Sequence, residues 1–167
     1  MRILGIDPGS HNMGWAVIES AGNSYRHVYS GVIDSHGIAG IPDRLWFIYQ
    51  QVTGIIDSHK PEAAALETVF FSKNQKSSFV LIQSATAAML AAMNRGLRIS
   101  EYQPMVIKKA VAGYGRAGKD QVQSMVKKLL NINEALLLDR SDAMAVAICH
   151  INSAQFQNRL LNHAASY

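Results

Sequence analysis

Cysteine is almost absent from this sequence, and its scarcity excludes several kinds of site. The chain of 167 residues contains one cysteine, Cys149. A single thiol cannot form an internal disulfide, and no second cysteine is nearby to complete a thiolate metal site. We therefore predict that Cys149 lies in the hydrophobic core.

No stretch of the sequence is typical of a signal peptide, and we expect none; a long uninterrupted apolar segment is also missing. The longest apolar run, residues 78–93, is broken by Gln83, Ser84 and Thr86 and is too short for a membrane span. The N-terminus enters strand-like sequence at once, with Arg2 as its early charge. We expect a soluble, cytoplasmic protein without a membrane partner, folded as a single domain, residues 1–167, around one core.

Charge of one sign is in modest excess. Sixteen Lys and Arg against 12 Asp and Glu give a net charge of +4 and a pI near 9.3. This bias fits a polyanionic partner such as nucleic acid without requiring one. The basic residues concentrate between Lys73 and Lys128.

Hydrophobic periodicity predicts an α/β protein. Predicted strands cover residues 2–7, 13–19, 25–34, 62–69 and 97–102, and predicted helices cover 42–59, 77–95, 104–112 and 119–130, with a last helix starting near Asp139. Because the first three strands form a meander and the later ones alternate with helices, we expect a mixed central sheet flanked by helices. The helix at 77–95 is apolar nearly all round, so either the core or a subunit interface must cover it.

Four acidic residues occupy the ends of predicted elements. Asp7 ends the first strand and Glu67 ends the strand at 62–69, so their tips lie about 5 Å apart if the strands are neighbours. Asp139 and Asp142 are three residues apart at a helix start and share one face. Other interpretations exist: Asp7 before Pro-Gly can form a turn, and the two aspartates can cap a helix.

A cluster of like charges is unfavourable unless a cation neutralises it. Carboxylate ligands without His or Cys favour Mg²⁺ or Mn²⁺ over zinc. We predict that two such ions are bound by four catalytic residues, which are Asp7, Glu67, Asp139 and Asp142. The expected chemistry is phosphodiester hydrolysis, in which one ion activates water and the other stabilises the leaving 3′ oxygen.

Two basic segments are candidates for contact with DNA. In residues 69–78, Phe70 and Phe71 are followed by Lys73 and Lys76, and an aromatic ring in such a loop can stack on an unpaired base. Lys108 and Lys109 follow the strand that ends near Tyr102, which would place them at the same crevice. A solvated face is the alternative for such charges.

The segment GYGRAGKD, residues 113–120, nearly matches a phosphate-binding loop. Asp120 replaces the hydroxyl residue that such a loop needs for Mg²⁺, and a predicted helix precedes the segment where a strand is required. We therefore predict no nucleotide site here. Its glycines would let the backbone and Lys119 approach a DNA phosphate, although an ordinary loop between helices is an equal alternative.

Taken together, several motifs resemble the RuvC family of Holliday junction resolvases. They are GIDPGSHNMGWAVIE, ALETVFFSKN, VIKKAVAGYG followed by GKDQVQSMV, and DRSDAMAVAICH, in this order over about residues 2–152, with a tail at 153–167. The resemblance implies a ribonuclease H-like fold, a homodimer, Mg²⁺ dependence and paired nicks in opposite strands of a four-way junction. It also implies the RuvA and RuvB branch-migration proteins as partners.

The resemblance assigns roles residue by residue. Phe70 matches an aromatic residue next to the exchange point, and Lys108 and Lys119 match basic residues near the scissile phosphate. Arg140 and Ser141 depart from the family pattern, because small apolar residues are frequent at these positions. The family's acidic quartet corresponds to Asp7, Glu67, Asp139 and Asp142.

Two other functions are compatible with parts of the sequence. A nucleotide-binding domain of the actin and sugar-kinase type also opens with a strand, D-x-G and a hairpin, but it needs two such domains and 167 residues supply one. A catalytically silent junction-binding protein is expected if the acids serve only as caps.

Overall fold

The computed structural model of the chain describes residues 1–22, 24–69 and 75–164. Within these ranges the elements follow the predicted order. The strands are β1 (Arg2–Asp7), β2 (Asn12–Ala21), β3 (Ser24–Asp34), β4 (Ala63–Glu67) and β5 (Arg98–Tyr102). The helices are α1 (Ile41–His59), α2 (Gln75–Asn94), α3 (Pro104–Ala112), α4 (Lys119–Leu129) and α5 (Leu138–Ala164).

The five strands form one mixed sheet in the order β3-β2-β1-β4-β5. β1, β2 and β3 pair antiparallel as the predicted meander, whereas β1 pairs parallel with β4 and β4 with β5. The helix α1 makes the crossover from β3 to β4. The predicted α/β architecture with a mixed, helix-flanked sheet is confirmed.

The sheet divides the interior into two hydrophobic clusters, whereas the sequence predicted one core. On one face, Leu4 and Ile6 pack with Ile48 of α1 and the alanines of α2. On the other face, α5 covers the sheet, and α3 and α4 pack against α5. Cys149 of α5 is fully buried in this second cluster, as predicted.

The helix α2 is covered on one side and exposed on the other. Ala88 and Ala91 are fully buried against the sheet and α1, whereas Leu90 and Met93 are more than half exposed. Residues Ser77–Asn94 are long and apolar enough to cross a membrane, a test that core helices also pass. The prediction that this segment is too short for a membrane span is therefore wrong. The buried alanine face accounts for much of its apolar character.

Three boundaries differ from the predicted ones. The predicted strand at 62–69 is shorter in the structure, where β4 has five residues and ends at Glu67. The next residue, Thr68, donates its N–H to the carbonyl oxygen of Tyr102. The helix α2 begins at Gln75, two residues early. The helix α5 continues to Ala164, so most of the expected tail is helical, with Phe156, Leu160 and Leu161 exposed along it.

Two glycines allow α5 to lie directly on the sheet. A Cβ atom on Gly5 would be 2.2 Å from the carbonyl oxygen of Ala143, and one on Gly14 would be 2.0 Å from the carbonyl oxygen of Asp139. No side chain fits at either position, since contacts this short do not occur. The backbone of the first turns of α5 therefore rests on β1 and β2.

Candidate active site

Asp7 and Glu67 end neighbouring parallel strands. The register pairs Ile6 of β1 with Leu66 of β4, and the two acids follow at the next position of each strand. Adjacent strands are about 4.8 Å apart, so both carboxylates emerge at the same edge of the sheet. The predicted proximity of these strand ends is confirmed.

The first turns of α5 bring two further acids to this edge. Asp139 is in the first turn, and Asp142 follows three residues later. The Asp139 backbone approaches Gly14 closely, which places the helix start against β2. The carboxylate of Asp142 forms an ion pair with Lys119 of α4, and the distance between Nζ of Lys119 and Oδ2 of Asp142 is 3.6 Å.

These elements enclose a cavity of about 170 Å³. It contains most of the predicted acids and two of the predicted lysines. Asp139 is not among the lining residues, although its charge acts on both Asp7 and Asp142. The lining consists of Asp7, Glu67, Pro104, Ile107, Lys108, Lys119, Val122, Asp142 and Ala145.

The acids in the cavity hold their protons more tightly than free carboxyl groups. Burial, followed by the charges of Glu67, Asp142 and Asp139, raises the pKa of Asp7 from 3.8 to about 8. Burial is also the main cause that raises the pKa of Glu67 and of Asp142, and Lys119 opposes both shifts. Raised pKa values from burial and like charge indicate a place where added positive charge is favourable.

The donor set fits a hard divalent cation. The lining carboxylates offer only oxygen atoms, which Mg²⁺ and Mn²⁺ prefer. In the part of the chain that the structure describes, no three His, Cys, Asp or Glu side chains form a closed metal-binding group. Mg²⁺ is usually held by one or two carboxylates and completes its coordination with water and substrate phosphate.

The predicted lysines fall into different places. Lys108 of α3 and Lys119 at the start of α4 line the cavity. Lys109 is exposed and is not among the lining residues, since one residue along a helix turns the side chain by about 100°. Phe70, Phe71 and Lys73 lie outside the described residues, as does the side chain of Lys76 at the start of α2.

The segment 113–120 is a connection between two helices. Gly113 adopts a left-handed conformation with φ of 86° and ends α3, and Gly118 precedes the first residue of α4. A helix comes before the segment, as predicted, so the context of a phosphate-binding loop is absent. The connection places Lys119 beside Asp142.

Some contributors to the site could not be identified from the sequence. Pro104, Ile107 and Val122 form apolar walls of the cavity, and their periodicity marked them as helical without showing what they face. A second cavity of about 160 Å³ lies against the same acids and is lined by Asp7, Pro8, Glu67, Thr68, Val69 and Leu81. Asp7 and Glu67 therefore stand between two cavities.

Comparison with known proteins assigns the chain to a family. A sequence model of the family described as "Crossover junction endodeoxyribonuclease RuvC" matches residues 3–150. Proteins of that name from Geobacter metallireducens and Geobacter sulfurreducens are each 46% identical over 160 residues, covering 96% of this chain and 98% of theirs.

Solved structures agree with this assignment. The T. thermophilus RuvC structure in complex with a Holliday junction substrate aligns with a TM-score of 0.89 and 29% identity, covering 94% of this chain and 96% of that one. A second structure of Thermus thermophilus RuvC aligns with a TM-score of 0.85 and 30% identity, covering 94% of this chain and 97% of that one. With its ribonuclease H-like sheet and flanking helices, this chain belongs to the RuvC family of crossover junction endodeoxyribonucleases.

Proposed function

We propose that this protein resolves Holliday junctions by paired, symmetric nicks in opposite strands, in DNA recombination and repair. The observation that carries the proposal is the cavity in which Asp7, Glu67 and Asp142 face Lys108 and Lys119. Acids can hold divalent ions there, while lysines contact the phosphate of the strand to be cut. The membership of the family supports this combination of chemistry and substrate.

We propose Mg²⁺ as the cofactor, with Mn²⁺ as a substitute and two ions per site. Asp7, Glu67 and Asp142 would hold them from the cavity wall, and Asp139 would contribute from the first turn of α5. The chemistry that two divalent ions supply in such a centre is activation of the attacking water and stabilisation of the leaving 3′ oxygen. The carboxylates must lose their protons to bind cations, so the raised pKa of Asp7 couples binding to proton release.

The lysines are proposed to bind and orient DNA. Lys108 and Lys119 project into the cavity from α3 and α4, so they can hold a phosphate beside the acids. Lys109 is exposed next to Lys108 and would contact the backbone farther along the strand. Phe70, Lys73 and Lys76 complete the proposed DNA-binding set on the basis of sequence alone.

A homodimer is proposed to present two such sites. Between α1 and α2 lies an apolar groove of about 430 Å³, and Trp46 and Leu90 on its walls are more than half exposed. A two-fold dimer through this face would offer equivalent sites to a junction that is itself nearly two-fold symmetric. We further propose RuvA and RuvB as partners, as the family resemblance implies. We also propose a cytoplasmic location, because the protein would act on recombining DNA.

Cleavage of a synthetic mobile four-way junction tests the proposal. In Mg²⁺, we expect wild-type protein to make paired symmetric nicks, and Asp7→Asn and Glu67→Gln to make none while binding the junction normally in EDTA. Lys109→Ala is the matched control for Lys108→Ala. We expect the larger loss of cleavage from Lys108→Ala because, of these two lysines, Lys108 alone lines the cavity. If wild-type protein binds the junction but does not cleave it in Mg²⁺ or Mn²⁺, the proposed nuclease activity is wrong. The chain would then be a junction-binding protein without catalytic activity.

A further inference from the structure

Arg140 ties the start of α5 to the far edge of the sheet. Its Nε donates a hydrogen bond to Oγ of Ser30, over 3.0 Å. Ser30 is 7% exposed, and its Oγ is 2.9 Å from Nε2 of His27. Three side chains thus form a chain of polar contacts from the first turn of α5 to β3.

The connection crosses a whole strand. Ser30 lies on β3 opposite Ala16 of β2, and β3 is the edge strand of the sheet. Arg140 lies between Asp139 and Asp142 in the sequence, at the helix start. Its guanidinium therefore reaches over β2 and is anchored by the backbone-paired residues of β3.

The three polar groups satisfy one another when His27 is neutral. Burial, and then the charge of Arg140, lower the pKa of His27, so its neutral form is favoured at physiological pH. In the neutral tautomer with its proton on Nδ1, Nε2 of His27 accepts from the hydroxyl of Ser30, and the oxygen of Ser30 accepts from Arg140. A buried hydroxyl with both roles filled is a firm anchor.

The start of α5 needs such an anchor. Asp139 and Asp142 interact unfavourably with Asp7, and this repulsion acts to move the first turn of α5 away from the strand ends. The side chain of Ser141 does not help, because it is fully buried and its hydroxyl has no hydrogen-bond partner within the described residues. Contact of the Asp139 backbone with Gly14 limits approach to the sheet but does not hold the turn in place.

We propose that Arg140 is a positioning residue that, through Ser30, holds the first turn of α5 so that Asp142 stays in the lining of the cavity and Asp139 stays close to it. Arg140 is not among the residues that line the cavity, so it acts through the helix and not on the reacting atoms. This inference rests on the proposed function, since it gives the aspartates their task. It assigns a role to Arg140, which occupies a position where small apolar residues are frequent in the family.

The test measures Mn²⁺ binding to DNA-free protein, from the electron paramagnetic resonance signal of the free ion. We expect Arg140→Ala and Ser30→Ala to weaken binding to a similar extent, by about tenfold, the lower end of the range typical for residues that orient metal ligands. Because both changes break the contact between Arg140 and Ser30, the double variant should bind no more weakly than either single variant. Arg159→Ala removes the same charge from an exposed position on α5 and should bind like wild type.

Thermal melting in EDTA and junction binding in EDTA accompany the titration. Unchanged Mn²⁺ affinity in Arg140→Ala would overturn the inference, as would weakened affinity in Arg140→Ala with normal affinity in Ser30→Ala. Weakened junction binding in Arg140→Ala alone would show direct contact with DNA and would also overturn it. Failure of wild-type protein to bind Mn²⁺ would refute the metal centre of the proposed function, which distinguishes the two failures.

Discussion

Asp7 lies where a buried strand ends, beside Glu67 on the neighbouring strand and within the field of the first turn of α5. Burial and three other carboxylates raise its pKa to about 8. A residue in this position stabilises little by itself. Burying its carboxyl group beside other acids lowers the stability of the fold. Such a loss is common at functional sites, because their charged groups are arranged for binding and not for stability.

The charge of Asp7 predicts a pH dependence of stability. Its pKa is 3.8 when unperturbed and about 8 in the fold, so the stability that its protonated form contributes is complete below pH 3.8 and is lost as pH rises through about 8. We expect the melting temperature of wild-type protein in EDTA to fall over this window relative to that of Asp7→Asn. Near pH 8, Asp7→Asn should be more stable by about 0.5–2 kcal/mol, although it cannot cleave.

Thermal melting across pH in EDTA measures this difference. Asp120→Asn, a change of an exposed carboxylate on α4, is the matched control and should follow wild type. Addition of Mg²⁺ should raise the melting temperature of wild type, more at high pH than at low pH, because binding releases protons. Parallel curves for wild type and Asp7→Asn would contradict this account of the residue.

At the scale of elements, the position of α5 on the sheet determines where the aspartates lie. Gly5 and Gly14 permit the backbone of the helix to touch β1 and β2. Arg140 and Ser30 hold the helix start from the side, and Lys119 pairs with Asp142 from α4. The acids of α5 thus reach the strand ends because small residues beneath the helix leave room for it.

Gly14→Ala should damage both stability and activity. The new Cβ would be 2.0 Å from the carbonyl oxygen of Asp139, so the helix start must move away from the strand ends. We expect a loss of about 1–3 kcal/mol in the free energy of unfolding, as for other overpacked sites, together with loss of junction cleavage. Chemical denaturation and the cleavage assay measure the two effects.

Gly54→Ala is the matched control for that prediction. Gly54 lies inside α1, where an added Cβ would meet no atom within 4 Å. Alanine in a helix interior is favoured over glycine by about 0.8–1.0 kcal/mol, so this variant should be more stable and should cleave normally. Equal effects of the two substitutions would show that the contact with Asp139 does not determine the outcome.

The sequence was sufficient to predict the order of elements and the meeting of Asp7 with Glu67. Both follow from strand periodicity and from the rule that parallel neighbours end at the same edge. It did not distinguish Lys108 from Lys109, because the direction of a helical side chain depends on how the helix is rotated on its partners. It likewise could not show that Ser30 would meet Arg140, since they are separated by 110 positions and the register of β3 brings them together.

At the scale of the whole molecule, an apolar groove and the acidic cavity lie on opposite sides of the sheet. The groove between α1 and α2 carries exposed Trp46, stacked on Tyr49, and exposed Leu90. The acidic cavity lies on the other side of the sheet, against α3, α4 and α5. A dimer formed through the groove would therefore leave the cavities free for DNA.

Leu90→Lys should convert the proposed dimer into a monomer. A charge placed in a desolvated interface is costly unless it is paired, and Leu90 lines the groove. Sedimentation velocity should show wild type at twice the mass of the variant, with both folded by circular dichroism. Leu161→Lys alters a comparably exposed leucine on α5 and should leave the mass unchanged, whereas a monomeric wild type would rule out the dimer.

The central claim is that the acidic cavity is the metal centre of a junction-cleaving nuclease. Diffraction from crystals grown with Mn²⁺ tests it most directly, through the anomalous scattering of the bound ion. The account predicts anomalous peaks within ligand distance of Asp7 and Glu67, inside the cavity that Lys108 and Lys119 also line, and their loss in Asp7→Asn. Mn²⁺ bound elsewhere, with no peak between these two carboxylates, would contradict it.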